Sequence, residues 1–327
     1  MSQRAFGDTG LRVSPLCLGS AWFGVAPPAS EVDRLVGAAL DAGVTFFDTA
    51  STYGDQSRFD RPGAPPAPER ESAEELMGRA LRGRRDRVVL ATKVGEPIGH
   101  DGEGPSGLSA QHVERTVERS LRRLGTDRID LLYAHHPDPE RPPEEVAATF
   151  TRLIERGLVR HWGISNHNAD ESAAVSEAAR AAGLVPPVAH QLLYNLARRG
   201  VEAELLPTLA RCGQTVVAYS GVAGGLLAGA TAARRRYAGR ARHGGDAFSA
   251  GPLALADRLQ ALADEQGCRP TRLALGWLVA QPQVVATVVG PESVAELLEG
   301  ADDLSATLPP ELVRRVGALT EPASDLI

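Results

Sequence analysis

The feature that most constrains this chain is a repeated alternation. Short apolar runs at 16–19, 45–48, 87–93, 129–134, 159–165, 188–191, 215–219 and 284–289 are separated by stretches whose apolar residues recur at helical spacing. Those stretches fall at 31–42, 73–81, 110–124, 143–156, 169–182, 202–212, 271–281 and 293–301. Strands joined through helices have the crossover length that parallel pairing requires. Eight such units in 327 residues predict an α/β chain closed as a (β/α)₈ TIM barrel rather than an open doubly wound sheet. Local signals agree: Ser109 stands where an N-cap is needed before Ala110, and Gly125 where a helix ending at Leu124 needs a left-handed residue. The segment 4–13, turning at Asp8-Thr9-Gly10, reads as an N-terminal β-hairpin plugging the barrel floor. Extra C-terminal helices are expected after the barrel, and residues 1–327 are expected to form a single domain.

Composition narrows the partners. The net charge is −6, with both signs scattered, so no broad basic face is available for nucleic acid. Three cysteines, Cys17, Cys212 and Cys268, have no metal-type spacing and read as reduced structural thiols. Met1 to Gly10 lacks an apolar leader core, and no run approaches the ~18 apolar residues of a membrane span. A cytoplasmic chain acting on a small molecule, with neither nucleic acid nor membrane as partner, is the expectation.

Two stretches break the rhythm, each after a predicted strand. The first, 55–72, contains Arg61-Pro62-Gly63-Ala64-Pro65-Pro66-Ala67-Pro68; the second, 230–251, is rich in Gly and Arg, with Arg234, Arg235, Arg236, Arg240 and Arg242. Loops after barrel strands lie on the face that carries active sites. Polar residues gather at the same strand ends. They are Asp48 with Tyr53 five residues on, Lys93, His135, Ser165-Asn166, Gln191, Tyr219-Ser220 and Gly290. Asp48, Tyr53, Lys93 and His135 make chemical sense as a set. A phenol is a poor acid near neutrality, and a neighbouring ammonium lowers its pKa. A carboxylate keeps that ammonium charged and in place. The histidine can orient a carbonyl oxygen or share the proton. Such a set delivers a proton to an oxygen gaining negative charge, as carbonyl reduction requires.

Gly43-Val44-Thr45-Phe46-Phe47-Asp48-Thr49-Ala50-Ser51-Thr52-Tyr53-Gly54 resembles the aldo-keto reductase signature around its catalytic Asp and Tyr. Ala91-Thr92-Lys93 resembles the segment holding its Lys, and Ile129-Asp130-Leu131-Leu132-Tyr133-Ala134-His135 the segment holding its His. The resemblance implies reversible hydride transfer between a nicotinamide cofactor, NADPH/NADP+, and a carbonyl carbon. It implies Ser165, Asn166 and Gln191 at the carboxamide, Tyr219 stacked on the ring, and Ser220, Gly225, Gly290 and Glu296 at other cofactor positions. Trp22, Tyr53 and His135 would then face the substrate. Further segments, such as His190-Gln191-Leu192-Leu193-Tyr194-Asn195-Leu196, resemble bacterial reductases of nucleotide-linked deoxysugars and aldose dehydrogenases. Glu292 stands where relatives commonly carry arginine, which admits NAD. Arg234 to Arg242 could compensate by folding over the pyrophosphate.

Three further expectations follow. The extra stretch 56–71 should form a wall of the substrate site with Trp22, its Arg58, Arg61 and Arg70 meeting an anionic or hydroxyl-rich substrate. A metal-dependent hydrolase built on His135-His136-Pro137-Asp138, His161, His167 and His190 is the first rival. It is disfavoured because His136, His161 and His190 sit one residue off the strand-end position and should point away from the mouth, so no metal is expected. The second rival is a cofactor-binding regulatory subunit resembling the barrel subunits of potassium channels, with little turnover.

Overall fold

The computed structural model describes residues 1–234 and 248–327. Eight parallel strands close into a barrel: β3 (Leu16–Gly19), β4 (Phe46–Asp48), β5 (Val89–Val94), β6 (Ile129–Ala134), β7 (Val159–Ser165), β8 (Ala189–Leu193), β9 (Thr215–Tyr219) and β10 (Val284–Val289), with β10 returning to pair with β3. The preceding β1 (Arg4–Ala5) and β2 (Arg12–Val13) form an antiparallel pair. Helices α1 (Val32–Asp41), α2 (Ala73–Ala80), α3 (Ala110–Leu124), α4 (Pro143–Glu155), α5 (Ala169–Ala181) and α6 (Leu205–Cys212) return the chain between strands. After β9 come α7 (Ala230–Arg234), α8 (Ala250–Glu265) and α9 (Pro270–Val279); after β10 come α10 (Val294–Asp303) and α11 (Pro310–Gly317). This is a TIM barrel with an N-terminal hairpin and added C-terminal helices.

The two-residue period of a strand sorts the side chains. Cys17, Phe46, Val89, Ala91, Leu131, Tyr133, Ala189 and Val217 pack together inside the barrel. Their neighbours Leu18, Phe47 and Leu90 pack outward against α1 and α2. Phe6 and Val13 of the hairpin join the inner group, and the Phe6 ring meets Phe46 edge to face at 5.8 Å. The hairpin therefore plugs the floor, as its position in the sequence suggested. Gly163 is required where β7 crosses this filled interior: a Cβ there would lie 2.7 Å from the Ala189 carbonyl oxygen and 2.8 Å from the Tyr133 ring.

The helix ends follow their local chemistry. Ser109 Oγ accepts from the His112 amide, and Gly125 closes α3 at φ 60°. At α2, Ser72 and Glu75 form a reciprocal capping box. The sixteen-residue α8 falls outside the periodic stretches recognised in the sequence; it lies next to the Gly- and Arg-rich segment and buries Leu255, Ala256, Leu259 and Leu262. Trp162 and Trp277 are core residues, as expected.

Candidate active site

The strand period that fills the barrel also builds its mouth. Inward-facing Phe46 is followed two residues on by Asp48; Val89 and Ala91 by Lys93; Leu131 and Tyr133 by His135; Ala189 by Gln191; Val217 by Tyr219. The interior changes from apolar to ionisable at the C-terminal strand ends, where barrels place catalytic groups.

Asp48 and Lys93 form a fully buried ion pair. Lys93 Nζ also donates to the Thr49 carbonyl at 2.9 Å, and Gln191 Nε2 donates to Asp48 Oδ2 at 2.8 Å. Burial works against the ammonium, but Asp48 and Tyr53 together outweigh it, so the Lys93 pKa stands above its ordinary value. Removing one partner of such a pair strands the other charge, at a cost of about 3–5 kcal/mol.

Tyr53 lies on the loop after β4, where the Ala73 amide donates to its carbonyl at 2.9 Å. The next residue must be glycine. Gly54 has φ 84°, and a Cβ there would lie 2.8 Å from both the Ala73 nitrogen and the Phe23 carbonyl oxygen. Lys93 Nζ is 4.8 Å from the centre of the Tyr53 ring. The phenol is nevertheless raised above its ordinary pKa. Burial is the largest cause, Asp48 and Glu96 act in the same direction, and Lys93 offsets only part. The expectation that Lys93 lowers the phenol is thus right for the lysine's own contribution and wrong for the net direction.

His135 Nε2 lies 3.4 Å from Tyr53 Oη. Burial pushes the imidazole down to about 4; Glu96 opposes this, while Lys93 and His136 reinforce it. The ring is therefore neutral near pH 7.

The other sequence candidates line the same rim. Asn166 Nδ2 donates to the His135 carbonyl at 2.9 Å, and the Tyr219 hydroxyl donates to Asn166 Oδ1 at 2.8 Å. Ser220 accepts from Asn195 Nδ2 through its carbonyl at 3.0 Å. Asn166 and Ser220 are left-handed, at φ 62° and 59°, a conformation that costs non-glycine residues about 1–3 kcal/mol and gathers at functional sites. Ser165 Oγ is buried without a hydrogen-bond partner among the described residues. Gly225 lies on the loop after β9 at φ 99°, Gly290 directly follows β10, and Glu296 sits in the first turn of α10, where its carboxylate accepts from the Glu292 amide at 3.0 Å. Trp22 and Phe59 meet edge to face at 5.4 Å, and Phe59 meets Tyr53 the same way at 5.9 Å.

The stretch 56–71 folds against this rim. Its three arginines, expected to meet an anionic or hydroxyl-rich substrate, each have partners within the chain. Arg58 makes a two-pronged contact with Glu96 at 3.0 and 2.6 Å. Arg61 does the same with Glu292 at 3.2 and 3.1 Å, its guanidinium 5.2 Å from the Trp22 ring centre. The buried Arg70 bonds Asp60 and the carbonyls of Gly54, Gln56 and Pro65. Of the second loop's arginines, Arg235, Arg236, Arg240 and Arg242 lie outside the described residues, as does the side chain of Arg234.

Glu96 is the functional candidate that sequence reasoning missed. It follows β5 in the turn Gly95-Glu96-Pro97, and an acid on a post-strand turn is the signal that could have found it. Among the described residues, Glu96, His135 and His136 form the group with metal-ligand spacing. His136 does not point away from the mouth as expected. Its ring stacks on His135 at 5.0 Å, and its Nε2 lies 3.3 Å from Glu96 Oε1. Arg58 already matches the carboxylate charge, and Thr52 and Arg58 Nη2 both donate to Glu96 Oε2, so this carboxylate has an ion partner without a metal. His190 is buried behind the sheet, its Nδ1 3.4 Å from Ser172 Oγ on α5.

The barrel and the polar set at its mouth define a class of protein, and the comparisons with known sequences name it. The model of the "Aldo/keto reductase family" matches residues 15–321, and the chain belongs to that family of oxidoreductases. It is 36% identical to "Uncharacterized oxidoreductase YrpG" of Bacillus subtilis (strain 168), over 96% of this chain and 94% of that protein. It is also 32% identical to "Probable voltage-gated potassium channel subunit beta" of Oryza sativa subsp. japonica, over 98% and 97%. A protein of the same description from Arabidopsis thaliana is 30% identical, over 97% and 95%. No helix among the described residues is long and apolar enough to cross a membrane.

Proposed function

We propose that this chain reversibly reduces a carbonyl, of an aldehyde, ketone or sugar-type substrate, to an alcohol with NADPH, and that Tyr53 is its general acid and base. The observation that carries this reading is the buried Lys93–Asp48 pair against the Tyr53 ring, with His135 Nε2 3.4 Å from the phenol oxygen. Tyr53 donates its proton to the substrate oxygen as negative charge develops there, and takes one back in the reverse direction. Lys93, held charged by Asp48, steadies the phenolate left behind. Trp22, Phe59 and the stretch 56–71 wall the substrate side.

The residues fit a nicotinamide cofactor. Ser165 offers a buried hydroxyl with no hydrogen-bond partner among the described residues, Asn166 directly follows β7, and Gln191 lies on the neighbouring β8. These three would hold the carboxamide, and Tyr219 would face the ring. When bound, the cofactor supplies the hydride. Glu292 is matched by Arg61, which reduces the like-charge penalty it would impose on a 2′-phosphate and supports NADP(H) over NAD(H).

The test is a panel of aldehydes, ketones and sugars, followed at the nicotinamide absorbance in both directions with both cofactors. Turnover by the wild type that collapses in Tyr53→Phe supports the reading; equal turnover in the two overturns it. A second reading is favoured by the extended identity to the two proteins described as potassium channel β subunits: a cofactor-binding regulatory subunit with little turnover. Tight cofactor binding without turnover on any substrate would select it.

A further inference from the structure

Ser220 directly follows β9 and stands at φ 59°, in the left-handed region. That conformation is costly for a serine and not for a glycine. Something outside the residue must hold it there. Two groups reach its carbonyl oxygen. One is local, the Ala223 amide, which donates at 2.8 Å. The other comes from a different strand end: Asn195 Nδ2, on the loop after β8, donates at 3.0 Å.

Asn195 is built as a fixed support. Its side chain is fully buried. Its Oδ1 accepts from the Ala197 amide at 2.9 Å. An acceptor is needed at that end, so the amino group is the end that faces Ser220. Asn195 and Arg198 exchange two main-chain hydrogen bonds, at 3.2 and 3.0 Å. Residues 317–326 tie down the same loop. The Arg199 amide donates to the Ser324 carbonyl at 2.7 Å, and the Leu326 amide to the Ala197 carbonyl at 2.8 Å. The Arg199 guanidinium donates to the carbonyls of Gly317 and Thr320 at 2.8 and 3.0 Å. The loop after β8 is thus anchored independently of Ser220, and Ser220 is the strained member of the pair.

The strained torsion decides where the chain goes next. Pairing with β8 and β10 fixes Tyr219 at the end of β9. The φ of Ser220 then sets the direction in which residues 221–225 leave the tyrosine. We propose that Asn195 is a positioning residue for the cofactor: by holding the Ser220 carbonyl it keeps Ser220 left-handed, and so keeps the turn 220–225 in the shape that receives a nicotinamide nucleotide. The inference rests on the reading of Tyr219, Ser220 and Gly225 as cofactor positions. Without Asn195, Ser220 relaxes toward negative φ, and binding must restore the strained form at a cost in affinity. A glycine at 220 has no such preference. The importance of Asn195 therefore depends on which residue stands at 220, and a mere loss of packing would not show that dependence.

The measurement is the affinity for NADPH, followed by nicotinamide fluorescence, beside that for adenosine 2′-monophosphate, which lacks the nicotinamide and the pyrophosphate. Asn195→Ala should weaken NADPH by about tenfold, the scale of one buried hydrogen bond, and leave adenosine 2′-monophosphate near the wild type. In a Ser220→Gly background the same substitution should cost clearly less. Asn195→Asp keeps the shape and the Ala197 contact but turns an acceptor toward the Ser220 carbonyl, and its loss should be at least as large as that of alanine. Equal costs in the two backgrounds overturn the proposal, as do losses shared alike by both probes, or an unchanged NADPH affinity in both variants. A crystal structure of cofactor-free Asn195→Ala gives a readout that needs no ligand. Ser220 should have left the left-handed region, and its staying near φ 59° overturns the proposal. A wild type that binds neither NADPH nor NADH sinks the cofactor reading and this inference with it. NADPH bound by the wild type and equally well by Asn195→Ala sinks this inference alone.

Discussion

At the floor of the barrel, Phe6 and Val13 close over Phe46, Val89 and Leu131. At the mouth, the strands that carry those last three residues bring up Asp48, Lys93 and, one residue past the strand, His135. The inward direction is the same at both ends, because the strand period does not change. What differs is the cost of burial. Each apolar side chain at the floor contributes stabilisation of roughly 1.5–3 kcal/mol when buried. The ionisable groups at the mouth must be paired to be tolerated at all. The floor is a place where stability is gained. The mouth is one where stability is given up for groups whose protonation is shifted by their surroundings.

The comparison predicts that the two ends fail differently. The largest effect is expected at the mouth. Tyr53→Phe should lower turnover by about 10²–10⁴, the usual contribution of general acid catalysis, while cofactor affinity and melting temperature stay near the wild type. Turnover within a few-fold of the wild type would remove Tyr53 from the chemistry. Phe6→Ala is the counterpart at the floor. It should cost about 3–5 kcal/mol in denaturant unfolding and leave the turnover of the folded fraction unchanged. A variant of normal stability and poor turnover would mean that floor and mouth are not separable.

A smaller effect is expected from removing the ion pair as a unit. Lys93→Met combined with Asp48→Asn leaves no carboxylate stranded. Losing Lys93 disfavours the phenolate by more than losing Asp48 favours it, so the Tyr53 pKa, already raised by burial, rises further. Alcohol oxidation needs the phenolate as base, and its pH–rate profile should therefore move to the alkaline side by about one unit or more. An unmoved profile would show that the pair is structural. The smallest effect belongs to the rim. Replacing 56–71 by a short Gly-Ser link should raise KM for a large preferred substrate by about tenfold, some 1.4 kcal/mol, and leave small-aldehyde KM and cofactor binding near the wild type. The link also removes Arg58, so small-aldehyde kcat is compared with that of Arg58→Met. Loss of cofactor binding would reassign the stretch to the cofactor side.

The alternation of apolar runs and helical stretches was enough to fix the barrel, the hairpin and the inward direction of Asp48, Lys93, His135 and Gln191. Those follow from backbone periods, which are local and written in consecutive residues. The partners of the loop side chains were not legible. Arg58, Arg61 and Arg70 look alike in the sequence as exposed cations. The structure sends one to Glu96, one to Glu292, 231 positions away in the chain, and one into a nest of backbone carbonyls. The net direction of the Tyr53 pKa was likewise hidden, because it depends on how far burial outweighs a single ammonium. His136, assigned outward by alternation, lies two residues past the end of β6, where the strand period has lapsed; it still holds for His135, one residue past that end. The sequence determined where the strand-borne polar groups converge. Only tertiary packing decided which charges meet there, because an electrostatic interaction depends on distance and burial in space and not on separation along the chain.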